Sequence, residues 1–154
     1  MRFLMIDRVT ALERGRRIKG VKSFASSEPF LEAHFTRAAL VPGVLLVEAM
    51  AQLLGWLVSY SNDFRCLAVL ALISDVTVPA ALPPGIRAEI DGRLLTTTAS
   101  DSLGTATATV DGQIVAKVER LILHHVPLPA GETTREFFLQ YAGVDDPSSL
   151  ERTT

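Results

Sequence analysis

Between Val44 and Val58 only two side chains are strongly polar, Glu48 and Gln52. Four positions apart in a helical run, they fall on one face, one turn from each other. A helix that is apolar on every side has no solvated face to receive them, and a buried carboxylate is either paired or protonated. Such burial raises a carboxyl pKa towards the range useful for proton transfer at neutral pH. The plain alternative is a structural pair in which Gln52 hydrogen-bonds Glu48. His34 stands before this run, in a loop beside Phe35. Its unperturbed pKa suits a general base near neutrality, although a loop histidine is often only a surface residue. Pro42-Gly43 opens the helix, where the first N–H groups have no partner within it and favour an anion or a developing oxyanion. Gly43, with no side chain, lets a carbonyl approach its N–H closely. A base, a buried acid and an oxyanion donor beside apolar walls suit proton abstraction next to a carbonyl.

These residues need elements to hold them. Residues 1–9 read as a short strand, followed by a charged turn region from Thr10 to Arg17 around Gly15. Ile18 to Phe24 alternates and reads as a second strand. A loop from Ala25 to Val41 leads to the helix, which starts at Pro42-Gly43, with proline suited to a first turn, and ends near Ser59. Leu67 to Ser74 is a continuous apolar strand. Ile86 to Thr98 is a long strand with Arg87, Glu89 and Asp91 on one side and Ala88 and Ile90 on the other. Leu103 to Val110 follows, then a hairpin turn at Asp111-Gly112 and a last strand from Gln113 to His124. An apolar helix needs a sheet around it. The expected fold class is therefore α+β, a curved antiparallel sheet wrapped around one long central helix.

The expected division is residues 1–125 as this domain and 126–154 as a C-terminal extension. In the extension, Thr133 or Thr134 caps a short helix through Tyr141, closed by Gly143. Phe137, Phe138 and Tyr141 form its apolar stripe, for packing on the domain or for a partner contact. Pro147 to Thr154 reads as a frayed end.

The bulk properties narrow the function classes. A chain of 154 residues fits one domain, and a net charge of −2 argues against nucleic acid as a partner. Cys66 is the single cysteine, so an intrachain disulfide and a cysteine zinc cluster are excluded. It reads as a packed small hydrophobe in a reducing, cytoplasmic compartment. His124 and His125 read as residues at a strand end. Leu40 to Val58 is nearly long enough to cross a bilayer, but Glu48 at mid-span would cost about 2.5–3.5 kcal/mol or more there. It is expected to be a core helix, not a membrane insertion.

The stretch Glu28-Pro29-Phe30-Leu31-Glu32-Ala33-His34-Phe35, with Val41-Pro42-Gly43-Val44-Leu45-Leu46-Val47-Glu48-Ala49-Met50-Ala51-Gln52 after it, resembles the FabZ-type 3-hydroxyacyl-(acyl-carrier-protein) dehydratases. That family's pattern is roughly G-H-F-P, then P-x-M-P-G-V-L, then E-A-x-A-Q. The spacing from His34 to Glu48 fits it without a gap, and Phe3 to Val9 is similar to its first strand. The resemblance spans about residues 3 to 124. It implies a hotdog fold, a homodimer or a trimer of dimers, and sites at the dimer interface where His34 of one subunit faces Glu48 of the other. It implies dehydration of (3R)-3-hydroxyacyl chains on acyl carrier protein to trans-2-enoyl products, in fatty-acid or related lipid biosynthesis, with no cofactor and no metal. Catalytic roles fall on His34 and Glu48. Substrate and oxyanion contacts fall on Gly43, Gln52, Phe35 and Val44, and an apolar tunnel along the helix would hold the acyl chain, with Val44, Leu45 and Leu53 as candidate liners. The acidic carrier would dock on a basic surface. Arg37 is the candidate by position, whereas Arg14, Arg16, Arg17, Lys19 and Lys22 read as a solvated hairpin tip.

The loop departs from the pattern at Ala33, which stands where glycine is usual, at Thr36 and Ala39 in place of prolines, and at Val41 in place of methionine. These changes leave His34 and Glu48 intact and mark a divergent member. Three other readings stay open. A hotdog thioesterase would use the helix carboxylate to activate water. A dehydratase that also isomerises usually carries aspartate where Glu48 stands. An inactive scaffold would tolerate the altered loop.

Overall fold

The computed structural model describes residues 3–33, 38–128, 132–144 and 146–151. In chain order they form β1 (Arg8–Glu13), β2 (Arg17–Phe24), the short α1 (Pro29–Ala33), the long α2 (Gly43–Ser61), β3 (Cys66–Thr77), β4 (Ile86–Thr97), β5 (Asp101–Val110), β6 (Gln113–Pro127), α3 (Glu132–Ala142) and α4 (Ser148–Glu151). The strands make one six-stranded sheet in the order β1-β2-β4-β5-β6-β3, and every pairing is antiparallel. The sheet lies on α2, which touches β2 to β6. This is the hotdog fold.

The alternation of apolar and polar residues sets the sheet's inner face. Along β4, Ala88 and Ile90 are buried while Arg87 and Glu89 are exposed, as a period of two requires. The hairpin between β5 and β6 turns on Asp111 and Gly112 at φ 50° and 78°, the left-handed pair of a type I′ turn.

Three glycines decide how closely the helix can approach. Gly20, Gly92 and Gly104 lie on the neighbouring strands β2, β4 and β5, under Leu53 and Leu54 of α2. A Cβ on Gly20 would stand 2.9 Å from the Arg8 carbonyl oxygen and 2.9 Å from Leu53 Cδ1. One on Gly92 would stand 3.0 Å from Leu54, and one on Gly104 2.9 Å from the Arg93 carbonyl oxygen. The sheet thus carries a trough without side chains, and Leu53 and Leu54 fill it with no exposure.

Several expectations are corrected. The first strand does not occupy residues 1–9. It begins at Arg8 and runs through the segment read as a turn, which is confined to residues 14–16. Phe3 and Met5 are instead tied to α2, as described below, and Asp7 reaches β2, where its N–H donates to the Val21 carbonyl at 2.8 Å. His125 is not a simple strand-end residue, because it is buried and its Nε2 lies 2.9 Å from Ser102 Oγ on β5. His124, its exposed neighbour, meets Asp101 at 2.9 Å. Most important, α2 is not enclosed on every side. Leu46, Ala49, Met50, Leu53, Leu54, Leu57 and Val58 are fully buried, but Val44 is 66% exposed and Leu45, Glu48, Gln52, Gly55 and Trp56 are half-buried. One sheet curves around one side of a helix and leaves a stripe open. Even so, α2 is long and apolar enough to cross a membrane yet sits mostly inside the fold, as a core helix.

The basic cluster is largely paired. Arg14 meets Asp63 at 2.9 Å, Arg16 meets Glu13 at 2.5 Å, Lys22 meets Asp7 at 3.0 Å, and Arg17 binds Asp91 through both ends of its guanidinium. Partial burial pushes the Asp91 carboxyl up, but the Arg17 bonds and charge outweigh it and hold the group below its usual range. Cys66 is buried, and burial pushes its thiol up, which suits a packed hydrophobe.

The segment after β6 lies over the far end of α2 and over β1. Phe138 is fully buried, 5.4 Å from the rings of Trp56 and Phe64 and 6.0 Å from Tyr60. Ser148–Glu151, read as part of a frayed end, forms a helical turn, where the Tyr60 hydroxyl donates to Glu151 at 2.8 Å.

If the glycine trough limits the helix–sheet distance, Gly104→Ala will lower stability by about 1–3 kcal/mol, the usual cost of an overpacked core. A urea midpoint equal to wild type would show slack between Leu54 and the sheet.

Candidate active site

Glu48 and Gln52 occupy the open stripe of α2, one turn apart. The Gln52 side-chain amide donates to Glu48 Oε1 at 2.7 Å and to the Phe3 carbonyl at 3.0 Å, and its oxygen accepts the Met5 N–H at 2.9 Å. These three bonds fix which way the amide faces: its oxygen must meet a donor, and its NH2 must meet two acceptors. Gln52 therefore does two jobs at once. It pins the N-terminal segment to the helix, and it presents an N–H to the carboxyl group of Glu48. The segment cannot take part in β1 and also serve as this anchor, which explains why the first strand starts later than its apolar residues suggest.

Glu48 and Gln52 line a cavity of about 220 Å³ together with Phe3, Leu4, Ala51, Gly55, Trp56, Ser59, Leu67, Ala68, Leu70 and Leu123. Its lining is mainly apolar, and among the described residues the carboxyl group is its one ionisable side chain. The cavity runs along the open stripe of α2 and under the start of β3, where the Ser59 hydroxyl donates to the Cys66 carbonyl at 3.0 Å.

Gly43 is the first residue of α2, and no side chain caps the turn at Pro42. The two chains around it are tied by the Val41 N–H, which donates to the Leu82 carbonyl at 2.7 Å. The absent side chain has a packing reason. A Cβ on Gly43 would stand 2.7 Å from Val78 Cβ, so the residue lets the chain after β3 close against the helix start. The first N–H groups of α2 have no acceptor further back in the helix.

The structure thus brings Glu48 and Gln52 together at one cavity and puts Gly43 a turn and a half before Glu48 on the same helix. Val44 is on the open stripe, outside the cavity lining, and Leu53 is on the opposite face, buried against Gly20. His34, Phe35 and Arg37 lie outside the described residues. Trp56 and Ser59 line the cavity although the sequence reading did not single them out. The signal was available in their spacing, since both follow Gln52 on its side of the helix. Among the described residues, no three His, Cys, Asp or Glu side chains gather as a metal-binding group.

Residues 1–119 match the model of the FabA-like domain family. The 3-hydroxyacyl-(acyl-carrier-protein) dehydratase FabZ of Bacillus subtilis is 35% identical over 119 residues, which covers 76% of this chain and 84% of that protein. The FabZ protein of Clostridioides difficile is 35% identical over 118 residues, covering 76% and 83%. Among solved structures, the dehydratase heterocomplex ApeI:P of Xenorhabdus doucetiae superposes with a TM-score of 0.68 at 16% identity, over 86% of this chain and 89% of that one. The protein smu.793 of Streptococcus mutans, bound to acetyl CoA, superposes with a TM-score of 0.62 at 18% identity, over 82% and 94%. Both likenesses concern the fold.

Gln52→Leu keeps the volume and removes all three bonds, so it will cost about 1–3 kcal/mol by leaving partners unmet. Hydrogen exchange at the Met5 amide will accelerate in this variant. Unchanged protection at Met5 would mean that Gln52 does not anchor the segment.

Proposed function

Because the chain belongs to the FabA-like family, a family of hotdog dehydratases, we propose that it removes water from (3R)-3-hydroxyacyl chains carried on acyl carrier protein. The observation that carries this reading is Glu48, oriented by Gln52 at the polar end of an apolar cavity. His34 takes the C2 proton, made acidic because the Gly43 N–H polarises the thioester carbonyl. The electron pair of the broken C–H bond forms the C2–C3 double bond. Glu48 gives its proton to the C3 hydroxyl, which leaves as water, and the proton on His34 returns to solvent as Glu48 is reprotonated. The product is the trans-2-enoyl thioester. Arg37 takes the acidic carrier. The setting is fatty-acid or related lipid biosynthesis in the cytoplasm.

The same reading includes a homodimer, with a trimer of dimers as its larger form, and with His34 supplied to Glu48 by the partner. Two surfaces support it. β3 is an edge strand that exposes Leu67, Val69, Leu70, Leu72, Ile73 and Val76. An open apolar edge of this length is a pairing template that a single chain would be expected to blunt. It adjoins the open stripe of α2 through the cavity they both line. One partner would cover both.

The chemistry is tested by following the ultraviolet absorbance of a trans-2-enoyl thioester during hydration, the reverse reaction. His34→Ala and Glu48→Gln will each lower the rate by about 100-fold or more, as loss of an acid–base group does. Release of free thiol from an acyl thioester, with no hydration, would replace this reading by a thioesterase. Leu72→Lys on the edge strand will shift sedimentation towards the monomer and lower activity with it. A monomeric variant with full activity would break the link between the dimer and the site.

A further inference from the structure

Trp56 faces two ways. On one side it lines the cavity that begins at Glu48. On the other it is held by the helix that follows the sheet: its ring lies 5.8 Å from Phe137, 5.4 Å from Phe138 and 6.3 Å from Tyr141, the last nearly parallel at 28°. Phe137 and Tyr141 themselves meet edge to face at 4.9 Å. Side chains from α3 pack around the indole and restrict its swing away from the cavity. The residues that match the family model end at 119, so all of α3 lies beyond them.

We propose that α3 sets the acyl-chain length this protein accepts, by holding Trp56 as a fixed wall of the cavity about two turns of α2 beyond Glu48. This rests on the reading that the cavity holds the acyl chain with its reacting carbons at Glu48. Trp56 follows Glu48 by a little over two turns of α2, about 12 Å at the helical rise. An extended chain covers about 1.2 Å per bond, so about ten bonds separate the reacting carbons from the indole. A longer chain must pass the indole towards Ser59, and Trp56 yields room there only if its contacts with α3 break. Phe137 and Tyr141 are positioning residues, acting on the substrate through Trp56.

Trp56 is the single tryptophan of the chain, so its emission reports directly on what touches it. Pantetheine amides of saturated acids of increasing length, which cannot react, are titrated into the full-length protein while calorimetry records binding. Short chains will bind without changing the emission, and a change will set in once the chain reaches the indole. In the hydration assay, Trp56→Leu will raise the ratio of kcat/KM for long over short enoyl chains by about 10-fold or more, the scale on which a pocket discriminates methylenes. Phe137→Leu and Tyr141→Leu, both at half-buried positions, will move the same ratio in the same direction by less. An emission change independent of length, or an unchanged ratio in Trp56→Leu, would overturn the proposal. A length threshold in emission from a protein that hydrates nothing would remove the dehydratase reading and keep the wall. Absence of binding at every length would remove both.

Discussion

The rest of the molecule depends on how closely α2 can lie on the sheet. Leu53 and Leu54 fill a trough that exists only because Gly20, Gly92 and Gly104 carry no side chain there. A single Cβ at any of the three would meet backbone oxygen or a leucine methyl at about the distance where atoms repel. The depth of this seat fixes which face of the helix looks away from the sheet. Glu48 and Gln52 fall five and one positions before Leu53, on the far side, so the packing of apolar groups aims the polar ones. A shift of the helix by one residue would turn the Glu48 carboxyl by about 100° and separate it from the cavity.

That geometry explains what could be read from the sequence and what could not. Glu48 and Gln52 were visible because polar side chains stand out in an apolar helix, and a period of 3.6 places them together. The strands β2 to β6 were visible through alternation in β2 and β4, the continuous apolar run of β3 and the Asp111-Gly112 turn between β5 and β6, with ends that shift by a few residues. The first strand was misplaced because Phe3 to Ile6 is as apolar as a strand. What removes it from the sheet is Gln52, some 47 positions away, and local pattern carries no sign of so distant a partner. His125 escaped for the same reason: its burial depends on the register that sets Ser102 beside it from β5, 23 positions back. The enclosure of α2 was overestimated because composition reports how apolar a helix is. It does not report how much of the helix one chain's sheet can cover.

The open stripe and the open edge are one problem seen from two elements. A sheet that curves around a helix ends somewhere, and here it ends at β3, whose outward side chains are as apolar as its inward ones. Beside it, Glu48 sits half-exposed. A second copy laid on β3, as proposed, would also cover the mouth of the cavity, so association and the exclusion of water from it would be coupled. A change on the edge strand would then alter the proposed chemistry without touching Glu48.

Two parts of the cavity are held by different parts of the chain. The polar end is built by α2 and the N-terminal segment, within the stretch that matches the FabA-like family. Trp56 lines the cavity about two turns further along the same helix, but its position is set by rings on α3, beyond that stretch. An isolated indole on a half-open helix face could adopt more than one rotamer, and the surrounding rings restrict that freedom at the cost of side-chain entropy. The burial of Phe138 among Trp56, Tyr60 and Phe64 offsets that cost. The arrangement separates the proposed proton donor, Glu48, from the proposed measure of chain length, Trp56. The Gln52 bond that orients Glu48 and the α3 rings that hold Trp56 come from different elements, so one can change in sequence without changing the other.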